Sequence, residues 1–124
     1  MSTTFAEDGE DRGTKERAMG EFMYVLRPAR REMLREGLTE RERGVVGEHF
    51  RYLRGLCDRG VVVLAGRTIT EDERVFGVCV LRAESEGEAR GIMLADPAVA
   101  GGVMTAELFP FRVAMAGATK AAEM

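Results

Sequence analysis

Apolar runs that do not alternate constrain this fold more than anything else in the sequence. Phe22, Met23, Tyr24, Val25 and Leu26 are five consecutive large apolar residues, closed off by Pro28. Residues 61–65 form a second continuous apolar run, and 74–81 a third strand, apolar on both faces with Val75, Phe76, Val78, Cys79, Val80 and Leu81. A strand with one wet face alternates apolar and polar residues. These three do not, so both faces of the sheet they build are expected to be dry.

Two helical patterns interrupt the strands. Thr39 and Glu42 have capping-box spacing, and Val46, Phe50, Leu53 and Cys57 follow at spacings of four, three and four as one apolar stripe. Val45, His49, Tyr52 and Leu56 run beside it. Gly44, Gly47 and Gly55 weaken the helix by about 1 kcal/mol each relative to Ala, most of all in its early turns. Gly60 is a natural stop. Ser85 and Glu88 open a second helix with Ala89, Ile92 and Met93 inward. Asp96-Pro97 ends it, because the residue before Pro is pushed out of helical geometry. Residues 103–115 read as a fourth strand, in which Pro110 implies an edge position or a bulge.

The resulting order, β-α-β-β-α-β, is the ferredoxin-like arrangement: an α+β fold with a four-stranded antiparallel sheet and both helices on one face. Two helices cover one face only. A second copy of the same sheet is the simplest cover for the other, so the expectation is a homodimer through sheet faces, packed flat or closed into a dimeric α/β barrel.

At 124 residues the chain suits one domain. Residues 1–20 are polar and aperiodic and are expected to be a flexible N-terminal tail; 21–116 form the domain, and 117–124 a C-terminal tail. A net charge of −3 argues against a nucleic-acid binder. No apolar run approaches the roughly 20 residues of a membrane span, and the polar start does not resemble a secretory signal. Sixteen of the 18 basic residues are Arg. Arg suits planar anions, although codon bias explains the excess as well. Cys57 and Cys79 form no CxxC pair and are expected to be small buried hydrophobes in a reducing, cytoplasmic setting. With one His and no Cys cluster, no zinc site is expected within one chain.

The chemistry left to such a chain is narrow. No Walker A or GxGxxG sequence is present. His49, the only histidine, lies at the margin of the first helix's apolar stripe and can exchange a proton at working pH. Asp96, before Pro97 and the Gly101-Gly102 pair, could fix the tautomer of that ring. Taken alone, His49 reads first as a surface or half-buried helix histidine and Asp96 as a turn residue before Pro.

A resemblance draws the two together. His49, Leu53, Leu56, Gly60 and Ala65-Gly66, followed by Asp96-Pro97-x-Val99-x-x-Gly102-Val103, resemble the YCII-related family of small dimeric α+β barrel proteins over about residues 21–116. The resemblance implies a ferredoxin-like fold, dimerisation through the sheets, and a His and an Asp in an active-site cleft, here His49 and Asp96. It also implies similarity to muconolactone-isomerase-like barrels and chloromuconolactone dehalogenases: cofactor-independent proton abstraction next to a carbonyl, with elimination or isomerisation of a small carboxylate or lactone. Arg67, Arg112 or an Arg of the 27–43 segment could hold the anionic group. Val46-Gly47-Glu48 stands where many relatives have Arg-Pro, and Arg67 where many have Pro. Loops that set substrate choice therefore differ. The alternative from another class is a non-catalytic small-ligand or regulatory dimer, in which His49 and Asp96 anchor a polar ligand.

Overall fold

The computed structural model describes residues 19–117. The segments 1–18 and 118–124, which carry most of the two expected tails, lie outside the described residues. Gly20, expected in the N-terminal tail, already belongs to the first strand.

The elements in chain order are β1 (Gly20–Pro28), α1 (Met33–Glu36), α2 (Glu40–Asp58), β2 (Val62–Arg67), β3 (Gly77–Ala83), α3 (Glu86–Ala95), α4 (Pro97–Ala100) and β4 (Met104–Phe111). Removing the two four-residue helices leaves β-α-β-β-α-β. The four strands form one sheet in the order β2-β3-β1-β4, with every pairing antiparallel. Pro110 sits in β4, at the edge, where a missing N–H leaves no second ladder unpaired.

One face of the sheet is sealed by the helices. Phe22, Tyr24 and Leu26 of β1 and Cys79, Leu81 and Ala83 of β3 are buried together with Leu53 and Leu56 of α2 and Ala89 and Met93 of α3. On the opposite face Met23 stands across from Val80 and Phe109, Val25 across from Val78, and Leu64 across from Val80. The centre of that outer face is therefore apolar, with Glu21, Arg27, Arg82 and Glu107 around it. The unbroken apolar run in β2 has an added cause: the register shifts between Val62 and Leu64, so Val63 is an extra residue at a bulge.

Several boundaries differ from the sequence expectation. β4 ends at Phe111 instead of 115, because Phe111 pairs with Glu21 and β1 offers almost nothing beyond it. β2 runs through Arg67, and β3 begins at Gly77 instead of 74. Asp72 holds the intervening turn: its carboxylate accepts from Arg74 N–H and from the Arg74 guanidinium. Of the stripe Val46, Phe50, Leu53 and Cys57, only Leu53 is buried. Phe50 is 62% exposed and Cys57 is exposed, while Glu42, His49, Leu53 and Leu56 are the buried residues of α2. Only one of the two cysteines, Cys79, is thus a buried hydrophobe.

Both helix starts carry their caps. Thr39 Oγ1 accepts from Glu42 N–H and Glu42 Oε1 accepts from Thr39 N–H, a complete capping box. Ser85 Oγ accepts from Glu88 N–H, but the Glu88 carboxylate reaches one residue further, to Glu84 N–H.

Candidate functional site

Asp96 is both an end and a beginning. It closes α3 and, with its side chain accepting from Ala98 N–H at 2.9 Å and Pro97 in the first turn, it caps α4. The segment from Ile92 to Gly101 is tied to α2 at three places. Arg41 donates to the Gly101 carbonyl, His49 meets Asp96, and Tyr52 Oη donates to the Ile92 carbonyl, each at 2.7 Å. A close approach makes this possible: a Cβ on Gly101 would stand 2.9 Å from the Pro97 carbonyl oxygen and 3.3 Å from Val45 Cγ1. Gly102 then turns the chain into β4 with φ +74°, a conformation that favours glycine.

His49 and Asp96, proposed from sequence as a pair, are brought together. His49 Nδ1 lies 2.7 Å from Asp96 Oδ1, with Asp96 fully buried and His49 6% exposed. His49 lies inside the buried face of α2, not at its margin. Asp96 Oδ1 also takes the Ala98 N–H, and Oδ2 accepts from Tyr24 Oη at 2.8 Å. Three hydrogen-bond contacts on one buried carboxylate fix its orientation. With Nδ1 turned to Asp96, Nε2, which takes no protein partner among the described residues, is the ring nitrogen left to meet a ligand.

Sequence reasoning missed Tyr24. It sits in the middle of a run of five apolar residues and meets Asp96 across 72 positions of chain, so no local signal marks it. Burial raises its phenol well above the ordinary tyrosine range, and the thiol of Cys79 and the charge of Asp96 add to the effect. Cys79, beside it, is pushed up to about 12, chiefly by burial. Tyr52 is raised by burial and then by the charge of Asp96.

His49 opens onto a cleft of about 990 Å³ between α2, the Met33–Leu38 segment and the β2–β3 hairpin. Val46, Phe50, Leu53 and Cys57, the apolar stripe that α2 does not fully bury, all line it. Of the cations proposed to hold an anion, Arg67 lines the cleft and Arg112 does not. Arg30, from the first connection, is engaged by both oxygens of Glu42. The Arg30 guanidinium, with the Thr39 N–H, holds that carboxyl down to about 2. Arg54, one turn beyond His49, also lines the cleft and was not among the sequence candidates. Among the described residues no group of three or more His, Cys, Asp or Glu is placed to hold a metal ion. Nor is any helix there long and apolar enough to cross a membrane.

Comparison with known proteins gives a family and a fold. The family model described as the YCII-related domain matches residues 21–112. No curated protein matches the chain. Among solved structures it is similar to 5-chloro-2-hydroxyhydroquinone dehydrochlorinase from Burkholderia phenoliruptrix AC1100, determined in complex with 2,5-dihydroxybenzoquinone. The two share 16% identity with a TM-score of 0.54, over 73% of this chain and 93% of that one. At that identity the likeness speaks for the fold alone.

Proposed function

The chain belongs to the YCII-related domain family, and from that premise we propose that it is a small cofactor-independent acid–base enzyme of the lyase, isomerase or dehalogenase kind. One observation carries the reading: a buried carboxylate orients the only imidazole of the chain at the wall of a large, mostly apolar cleft. His49 Nε2 would take a proton from a carbon next to a carbonyl, leaving its electron pair as an enolate. In elimination the enolate expels a leaving group, such as halide, from the neighbouring carbon as a C=C bond forms. In isomerisation Nε2–H returns the proton to a different carbon. Asp96 stabilises the imidazolium between these steps.

The apolar stripe of α2 favours a compact ring over a long polar chain, and Arg67 and Arg54 at the wall suit an anionic group on it. A small carboxylate or lactone meets both conditions. The structurally similar dehydrochlorinase, with a quinone bound, lends support to a cyclic carbonyl compound as the ligand.

A second copy of the chain is the partner proposed for the outer sheet face. Met23, Val25, Leu64 and Phe109 form its apolar centre, and charges of both signs stand around it for a two-fold to pair. Light scattering at the dimer mass for the wild type, with dissociation by Val25→Arg, is the expected result; a wild-type monomer removes this part. The cytoplasm is the proposed compartment, since Cys57 is an exposed free thiol and such thiols persist where glutathione keeps them reduced.

The test is a screen of small lactones, halogenated acids and halogenated hydroquinones against wild type, His49→Ala and His49→Gln. Turnover abolished in both variants is expected. Turnover that survives His49→Ala refutes the assignment. Ligand-dependent stabilisation with no turnover of any compound favours the non-catalytic ligand-binding dimer.

A further inference from the structure

The acid–base pair has a third member that neither the family match nor the similar structure assigns. Tyr24 lies at the centre of β1, between Cys79 of β3 and Leu108 of β4, and is fully buried. Packing alone does not call for a hydroxyl there, since its neighbours are core residues and phenylalanine has nearly the same shape. Burying a phenol is unfavourable unless it is hydrogen-bonded. This one is bonded: Oη donates at 2.8 Å to Oδ2 of Asp96, the oxygen that His49 does not use.

We infer that Tyr24 is a positioning residue for the acid–base site: its hydroxyl clamps the second oxygen of Asp96 and takes up part of the carboxylate's charge, so that the shared proton stays on His49 Nδ1. The inference rests on the proposed function for its catalytic meaning, while the geometry stands without it. With both oxygens engaged the carboxylate cannot rotate, and the ring plane it dictates is fixed toward the cleft. The charge Asp96 presents to the ring is also moderated. If Oδ2 lost its donor, the full negative charge would fall on the pair and hold its proton more tightly. The imidazolium formed during turnover would then be a weaker acid and return its Nε2 proton less readily.

Tyr24 acts as a donor, not as a relay. Burial with the Asp96 charge and the Cys79 thiol beside it keeps the phenol protonated through any working pH. The titratable groups facing the Asp96 carboxylate are His49 and Tyr52 of α2, Tyr24 of β1 and Cys79 of β3; α4 contributes the Ala98 N–H. Tyr52 spends its own hydroxyl proton on the Ile92 carbonyl, so Tyr24 is the phenol that bonds the carboxylate.

Because the chain has a single histidine, its imidazole signals in ¹H–¹⁵N spectra need no assignment. In Tyr24→Phe the midpoint of the histidine titration is expected to rise by about one pH unit, the size of a buried charge-assisted hydrogen bond. Tyr52→Phe is the control and should move it far less. A second measurement holds even if Tyr24→Phe folds poorly: 3-fluorotyrosine incorporated into Tyr52→Phe protein makes Tyr24 a stronger donor, and the midpoint should fall. A midpoint that stays in place in the folded Tyr24→Phe variant, or under fluorination, overturns the role. Neither readout needs a substrate. A shifted midpoint in a protein that turns over nothing sinks the catalytic reading and keeps Tyr24 as the clamp; turnover with an unmoved midpoint does the reverse.

Discussion

Asp96 is a fully buried carboxylate that ties β1, α2 and α4 together, and replacing it should separate geometry from charge. Its two oxygens accept from Tyr24 Oη, His49 Nδ1 and Ala98 N–H, with no exposure to solvent. Asp96→Ala strands all three donors in a buried site. Each unsatisfied donor costs about 1–3 kcal/mol, so even if water recovers most of the bonding the loss should reach about 3 kcal/mol. That figure is a large part of the roughly 5–15 kcal/mol that holds a domain together. For a domain of about 100 residues a loss of 1 kcal/mol lowers Tm by about 4–8 °C, so Asp96→Ala should melt at least about 12 °C below wild type. Asp96→Asn should behave differently. Its carbonyl oxygen can keep His49 and Ala98, and its amide can donate to Tyr24 Oη, which then acts as acceptor. Asn also caps a helix as well as Asp does. The geometry survives and the charge is lost, for a cost of about 1–2 kcal/mol. Thermal and urea unfolding of the two variants is the assay. Equal losses in Asn and Ala, or an Ala variant melting within about 3 °C of wild type, would show that the carboxylate is not the hub described here.

Three further outcomes follow from named contacts. The Glu42 carboxyl is held down to about 2 by the Arg30 guanidinium and the Thr39 N–H, below its ordinary 4.5. Its contribution to stability is therefore complete above about pH 4.5 and fades as the pH falls toward 2, so the urea-midpoint gap between wild type and Glu42→Gln should close in that window; a gap as wide at about pH 2 as at neutrality refutes the linkage. Native protein should expose one thiol to Ellman's reagent, the exposed Cys57, with Cys79, buried and pushed up to about 12, reacting only on unfolding; two fast thiols in the native state contradict the burial. Gly101→Ala should destabilise by about 1–3 kcal/mol, since its Cβ meets the Pro97 carbonyl and Val45, whereas Gly91→Ala, in α3 with open space around it, should stabilise by about 1 kcal/mol; melting curves displaced in the same direction would refute the close approach.

What the sequence disclosed depended on how local each signal was. Capping pairs three residues apart, Pro28 and Gly60 mark element ends through their own backbone chemistry, and those ends lie close to where the residues place them. The His49–Asp96 pair came through resemblance, because a contact across 47 positions has no local trace. Tyr24 lacks even that, being one apolar residue among five until its partner across the fold is known. Helix α4 was hidden for a related reason. Asp96-Pro97 reads as a stop, yet the same side chain that ends α3 caps a new turn by bonding Ala98 N–H, and four residues are too few to show a period.

The two apolar stripes of α2 show why periodicity alone misplaced its buried face. Val46, Phe50, Leu53 and Cys57 form the more hydrophobic row, and transfer energetics alone would turn that row inward. The row beside it carries His49 and Tyr52 as well as Val45 and Leu56, and it wins because its polar groups are satisfied on that side. His49 finds Asp96, and Tyr52 finds the Ile92 carbonyl. Turned the other way, α2 would gain the burial of Phe50 and Cys57 but leave the Asp96 carboxylate and the Ile92 carbonyl without those donors, and two unsatisfied buried groups of that kind offset the gain from two apolar side chains. The hydrophobic row is thereby left to form the wall of the cleft that His49 faces. One rotational choice of a single helix, set by hydrogen bonds to residues 92–96, both orients the imidazole and supplies the apolar surface beside it.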